Sequence, residues 1–119
     1  MKTEIKKDGD TLVVHMDGYL DFENQIPLRD NLIELANQTT KGTRKPRKII
    51  FNLENLEFVG SSGISAFIQT LKEFDACTHT RPRYCHVKSE FQKLMKAFDE
   101  TNIFEFFEDE DRARNSYDQ

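Results

Sequence analysis

An α/β fold, a small mixed β-sheet covered by helices, is what this sequence predicts, on three observations. Apolar, β-rich runs at Thr11–Met16, Lys48–Leu53 and Arg83–Val87 alternate with stretches of helical apolar periodicity. Gly and Pro punctuate the connections at Gly9, Gly42, Pro46 and Gly60. No repeat, low-complexity tract or internal linker interrupts the pattern, so the 119 residues form a single domain, 1–119.

Each element has its own signal. Ile5 to Met16 reads as a hairpin turning at Asp8-Gly9. Gly18 to Asn24 is expected to be a loop. Pro27 suits the first turn of a helix capped by Asn24 or Gln25, and Leu28, Leu32, Leu35 and Ala36 form its apolar stripe to about Asn37. Gln38 to Pro46 is polar and reads as a loop, and Lys48 to Leu53 as a buried strand. After Gly60 a second helix is expected, with Ile64, Phe67, Ile68, Leu71 and Phe74 on one face. Asp75 to Pro82 reads as irregular. Ser89-Glu-Phe-Gln92 matches a capping box opening a third helix, whose apolar face is Phe91, Leu94, Met95 and Phe98. Ile103–Phe107 suits a closing strand, and residues 108–119 an acidic, helical C-terminal tail with a solvated surface.

Composition limits the function classes. A net charge of −4 and a pI near 5.4 argue against general nucleic-acid binding. No apolar run approaches the ~20 residues that span a bilayer. Met1–Asp10 is charged and lacks a signal-peptide core, so a cytoplasmic location is expected. Cys77 and Cys85 make no disulfide framework and read as free thiols.

The chemistry concentrates at Gly60-Ser61-Ser62-Gly63. Two hydroxyls at a helix N-terminus face unpaired N–H groups and the positive end of the helix dipole, where added negative charge is favoured. A phosphate there brings roughly −1.5 to −2 charges at pH 7. Serine is also a favoured helix cap whatever the function. The turn lacks the Lys and the spacing of a nucleotide-binding loop. Cys77, His79, Cys85 and His86 match no common zinc spacing, and neighbours in a strand point to opposite faces, so no metal and no cofactor is expected. Lys41, Arg44, Lys45, Arg47 and Lys48 read as a solvated loop, with contact to RNA or an acidic partner as the sharper alternative. Phe22 is either a partner anchor or a cover for the sheet edge. His15 and the serines have no acidic partner at a recognisable spacing, so no catalytic residue is assigned and the protein is not read as an enzyme.

Three stretches together resemble the STAS-domain anti-sigma factor antagonists, over almost the whole chain. Gly18-Tyr-Leu-Asp21 is similar to the family's Gly-x-Leu-Asp loop. Ile49 to Gly63 is similar to its strand and Asp-Ser-Ser-Gly turn. Val87–Leu94 with Ile103–Phe107 is similar to its late strand, helix and Phe-containing end. The resemblance implies a four- to five-stranded mixed sheet with helices mainly on one face. It implies a protein-interaction switch in transcription regulation. The partner would be an anti-sigma factor with a serine-kinase ATPase domain, and a PP2C-type phosphatase would reverse the modification. Ser61 matches the phosphorylated Ser and Asp21 the loop acid. The docking surface would comprise Asp21, Phe22, Gly60, Ser61, Ser62, Gly63 and Ile64. Gly60 replaces the family's usual Asp. That departure favours an alternative, a constitutive, unphosphorylated STAS subunit or scaffold in a transport or signalling complex. A small-ligand sensor using the same helix start is a further alternative.

Overall fold

Strands β1 (Lys2–Asp8), β2 (Thr11–Leu20), β3 (Lys48–Phe58), β4 (Arg83–Cys85) and β5 (Phe106–Phe107) form one sheet in sequence order. Only β1 and β2 pair antiparallel; the other pairs are parallel. Each parallel connection therefore needs a crossover, and helices α1 (Gln25–Lys41), α2 (Ser61–Cys77) and α3 (Ser89–Ala97) supply them. A fourth helix, α4 (Glu110–Ser116), follows β5. The computed structural model describes residues 2–21, 23–41, 46–58, 61–78, 80–100 and 102–117, without the side chains of Thr39, Thr40, Lys41, Phe58, Ser61 and Ser62. The expected mixed α/β sheet is thus present with five strands.

The hairpin turns one residue later than the sequence suggested. Asp8 pairs with Thr11, so Gly9 and Asp10 are the central residues, and Gly9 takes the positive φ of 62° that glycine adopts without strain. The expected Gly18–Asn24 loop is shorter, because β2 runs on to Leu20 alongside β3. Gly18 has φ 119°, which accounts for a glycine inside a strand.

Strand β3 also outruns its expected end at Leu53. Opposite the single residue Met16, between the pairs His15–Asn52 and Asp17–Asn55, β3 places two residues, Leu53 and Glu54. This bulge resets the alternation, so Ile49, Phe51, Leu53 and Leu56 all reach the same core despite their uneven spacing. The Asn52 side chain supports it, its Oδ1 accepting from the Glu54 N–H at 3.0 Å.

The main core lies between the sheet and the crossover helices. Leu28, Leu32, Leu35 and Ala36 of α1 and Phe67, Ile68, Leu71 and Phe74 of α2 meet Leu12, Val14, Met16, Ile49, Phe51 and Tyr84. Phe51 stacks on Tyr84 at 5.4 Å and meets Phe74 edge-on at 5.2 Å. Helices α1 and α2 run past their expected ends, to Lys41 and Cys77. In α3 the capping box does not form. Ser89 is already helical, the cap position falls on Lys88 without a side-chain bond, and Gln92 Nε2 donates instead to the Val87 carbonyl at 3.0 Å. Only Met95 of the expected stripe is buried, while Leu94 and Phe98 are exposed. The final strand is shorter than expected, Ile103 and Phe104 being held by their N–H groups on the Asp99 carboxylate.

The acidic tail keeps a solvated face, Glu108 and Asp111 being exposed, but its other side docks on the sheet. Asp109 caps α4 by accepting from the Arg112 N–H at 2.8 Å. Ala113 then packs on Val13, Ile50 and Cys85, on the opposite face of the sheet from α1 and α2. The Tyr117 hydroxyl bonds the Ile49 main chain, donating to its carbonyl at 2.8 Å, and also lies 2.5 Å from the Arg81 carbonyl. Arg83 lies over the Tyr117 ring. Replacing Tyr117 by Phe orphans these main-chain groups, and urea unfolding should show a loss of about 1–2 kcal/mol at unchanged m.

Burial, followed by the nearby Glu110, Asp109 and Glu54 charges, pushes the Cys85 thiol up to about 12. A raised folded-state value leaves stability intact below the ordinary thiol range and removes it as the unfolded thiol ionises first. Tyr117, pushed up to about 12 chiefly by burial, acts in the same direction. Stability should therefore fall between about pH 9 and 12, and Cys85→Ala should flatten the early part of that fall. In the native state a thiol reagent at pH 8 should modify exposed Cys77 and leave buried Cys85 untouched.

Candidate functional site

Parallel strands β2 and β3 end side by side, Leu20 opposite Phe58, so the segments that follow them emerge at the same sheet edge. One leads to Asp21 and α1, the other to α2. Their contact is backbone to backbone. A Cβ added at Gly63 would lie 3.3 Å from the Leu20 carbonyl oxygen and 3.6 Å from Asp21 Cα. A side chain at this position would require the neighbouring main chain to give by a few tenths of an ångström. Gly63 is buried, so its small size first serves the seating of α2 on the β2–α1 loop.

The loop is fixed by its own polar groups. Asp21 is half-buried, and its Oδ1 accepts from the Asn24 N–H at 2.9 Å. Asn24 Nδ2 donates to the Tyr19 carbonyl at 2.9 Å, and the Leu28 N–H reaches the Asn24 carbonyl at 3.3 Å. Pro27 lies in the first turn of α1, where its missing N–H costs nothing. Gln25, only 6% exposed, donates from Nε2 to the Gly63 carbonyl at 2.7 Å, joining the start of α1 to the start of α2.

Of the residues singled out from sequence, the structure brings Asp21, Gly63 and Ile64 together. Ile64 is half-buried against the main core. Ser61 and Ser62 open α2, in the turn whose N–H groups lack intrahelical acceptors; their side chains lie outside the described residues, as do Phe22 and Gly60. Two residues that sequence reasoning passed over flank the same edge. Tyr19 is 61% exposed and Ile26 68% exposed, two of the five exposed large apolar side chains among the described residues. The signal for Ile26 was present, since it falls outside the Leu28–Leu32–Leu35 stripe.

The other candidate groups do not converge. Cys77 is exposed at the end of α2, Cys85 is buried in β4, and His86 leaves the sheet at φ 55°; His79 lies outside the described residues. Among the described residues no three His, Cys, Asp or Glu groups gather as metal ligands. Arg47 approaches Asp10 at 3.8 Å and Lys48 opens β3, while Arg44 and Lys45 lie outside the described residues. His15 does have an acidic neighbour, Glu110, at 3.2 Å. Glu110 also accepts from Asn52 Nδ2 at 2.7 Å. This trio holds α4 to the sheet, far along the chain from any spacing a sequence pattern records.

Gly63→Ala tests the close approach. The added methyl meets main chain at a buried strand end, which cannot swing aside. A destabilisation of roughly 1–2 kcal/mol is expected, together with amide shifts at Asp21 and Asn24 in NMR spectra.

No helix among the described residues is long and apolar enough to cross a membrane. No curated protein sequence matches the chain. Solved structures do. The Bacillus cell-fate determinant SpoIIAA in its phosphorylated form is 19% identical, with a TM-score of 0.63 over 97% of this chain and 98% of that one. The TM1081 protein of Thermotoga maritima, a candidate anti-sigma factor antagonist, is 13% identical, with a TM-score of 0.73 over 98% of this chain and 95% of that one. The murine Solute Carrier 26 anion transporter A9 is 14% identical, with a TM-score of 0.71 over 95% of this chain but 18% of that one. The STAS domain family matches residues 2–113. With that match spanning nearly all of the sheet and its helices, the chain belongs to the STAS domain family.

Proposed function

We propose that this protein is an anti-sigma factor antagonist, a non-enzymatic binding switch controlled by phosphorylation of Ser61. The observation that carries the reading is the contact of the Asp21 loop with the first turn of α2, flanked by exposed Tyr19 and Ile26. It unites the two motif segments into one surface with apolar contact area and a helix N-terminus at its edge. Structural likeness to anti-sigma factor antagonists, a phosphorylated form included, supports it.

The partner is an anti-sigma factor that is also a serine kinase, and a PP2C-type phosphatase resets the switch. Ser61 Oγ attacks the terminal phosphorus of a nucleoside triphosphate, the Oγ–P bond forms, the bond to the nucleoside diphosphate breaks and the hydroxyl proton is lost. The helix dipole and first-turn N–H groups accommodate the new charge within the protein. At the partner contact the same charge is desolvated beside Asp21. A loss of about 3 kcal/mol there lowers affinity more than a hundredfold.

Gly60 is the specific feature behind a second reading, a constitutive STAS subunit in a larger complex. Incubation with a family kinase and ATP, then peptide mapping, separates the two. Phosphate on Ser61 supports the switch; phosphate on Ser62 alone overturns the residue assignment, and none on either overturns the switch. Ser61→Asp should weaken partner binding while leaving the melting temperature equal or slightly higher, since a carboxylate at a helix start contributes about 0.3–1 kcal/mol. Gly60→Asp should speed phosphorylation by the same kinase without raising affinity for the partner, because the new carboxylate precedes the hydroxyl in sequence and adds negative charge to a surface that already carries Asp21.

A further inference from the structure

Strand β1 forms one edge of the sheet, paired to β2 alone, and its residues from Glu4 to Asp8 are exposed. The two-residue turn closes on the Asp8–Thr11 pair, which is therefore a hydrogen-bonded one. Alternation along the strand then spends the main-chain groups of Glu4 and Lys6 on β2 and turns those of Thr3, Ile5 and Lys7 outward. An edge of outward N–H and C=O groups is a template for a further strand, and charged side chains ordinarily discourage its use. In Lys2-Thr-Glu-Ile-Lys-Lys-Asp8 the order of the charges instead favours one occupant, a second copy of the same strand.

We propose that β1 is a self-association edge: two copies of the chain join antiparallel through β1, with Ile5 opposite its own counterpart, and extend the sheet across a twofold axis. In that register Lys2 faces the second copy's Asp8, Glu4 faces its Lys6, and Thr3 faces its Lys7. Ile5, 47% exposed, gains an apolar neighbour in its counterpart. Its main-chain groups point outward, so the twofold passes through a hydrogen-bonded pair. The Glu4–Lys6 and Lys2–Asp8 pairs are then of the non-hydrogen-bonded kind, whose side chains approach more closely. To keep outward groups facing one another, the strands can slip only in steps that preserve this alternation. One such slip sets Glu4 on Glu4 and Lys2 on Lys6; the opposite one sets Lys6 on Lys6 and Glu4 on Asp8. Like charges directly opposite are destabilising, so both neighbouring registers are disfavoured. Glu4 shares the sheet face of His15 and α4, where Lys2 lies 3.7 Å from Glu4 and Arg114 3.6 Å from Asp8. The new pairs join these contacts into one network, which outweighs isolated surface pairs. The axis stands perpendicular to the sheet and sets the two β2–α1 loops at opposite ends of it, so the dimer presents its two docking edges in opposite directions.

Sedimentation equilibrium of the full chain, from dilute to concentrated solution, reads the dimer directly. Each substitution appears twice across the axis, so Glu4→Lys and Lys6→Glu should each weaken self-association by about tenfold or more. The double variant exchanges the signs and should recover most of the loss. Register is read by cross-linking in a Cys77→Ser background, which removes the exposed native thiol. Ile5→Cys should give a disulfide-linked dimer under mild oxidation, because opposed Cα atoms of a hydrogen-bonded pair lie about 5.5 Å apart, within disulfide reach. Thr3→Cys should not, since its counterpart is displaced along the strand beyond that reach. A chain that stays monomeric at every concentration overturns the proposal. So does a dimer indifferent to both charge reversals, or one that cross-links through Thr3→Cys as readily as through Ile5→Cys. If a charge variant does not fold, the cross-linking arm decides alone. None of these readouts involves Ser61, so failure of the dimer leaves the binding-switch reading standing.

Discussion

The parallel pairing of β2 with β3 is the constraint on which the rest of this molecule depends. Parallel strands finish at the same edge, and in open α/β sheets the loops beyond their carboxyl ends are where binding surfaces are built. Leu20 opposite Phe58 sets the register there. Asp21 and the start of α2, some forty residues apart in sequence, become neighbours as a result. The bulge at Leu53–Glu54 is part of this arrangement. Without the bulge, regular alternation would turn Leu56, three residues after Leu53, away from the core it now fills.

The same pairing buries both faces of the central strands and so demands two covers. Helices α1 and α2 supply one with long apolar stripes. The other is polar in its fastening. Ala113 gives α4 a small contact, but Glu110 on Asn52 and His15, and Tyr117 on the Ile49 main chain, hold it in place. Asn52 thus serves twice, supporting the β3 bulge through its oxygen and anchoring α4 through its nitrogen. Cys85 lies under this cover, which explains its elevated ionisation range.

What could be read from the sequence follows from the range of the forces involved. The stripes of α1 and α2 were legible because a helix spaces its buried residues evenly. Strand β3 was cut short in the reading because its bulge breaks the alternation that identifies strands. The box at Ser89–Gln92 is a true local pattern overridden by tertiary contact, Gln92 finding the Val87 carbonyl instead. The docking of the tail was not legible because charges dominate its composition, while the side chains that pack or bond it to the sheet, Glu110, Ala113 and Tyr117, are few. At the candidate site, Asp21 and Gly63 were found through motif resemblance. Gln25 was not, since nothing local distinguishes a buried glutamine from a surface one; its significance depends on the carbonyl it meets across the fold.

The placement of charge at this edge would let the proposed switch act without endangering the fold. Asp21 is already committed, its carboxylate accepting from the Asn24 N–H just ahead of α1. Helix α2 has its own N-terminal turn, with no acidic residue in it. With the proposed phosphate on Ser61, two helix starts would face two anions, one permanent and one acquired, and each dipole would offset the cost of its own. The remaining repulsion between them is exposed to water and salt in the free protein, where it is weak. It becomes severe only when a partner excludes that water, because the effective dielectric falls and the interaction strengthens severalfold. Under the proposed function, a charge placed here would be tolerated by the free protein and rejected by the partner complex, which is the asymmetry a binding switch requires.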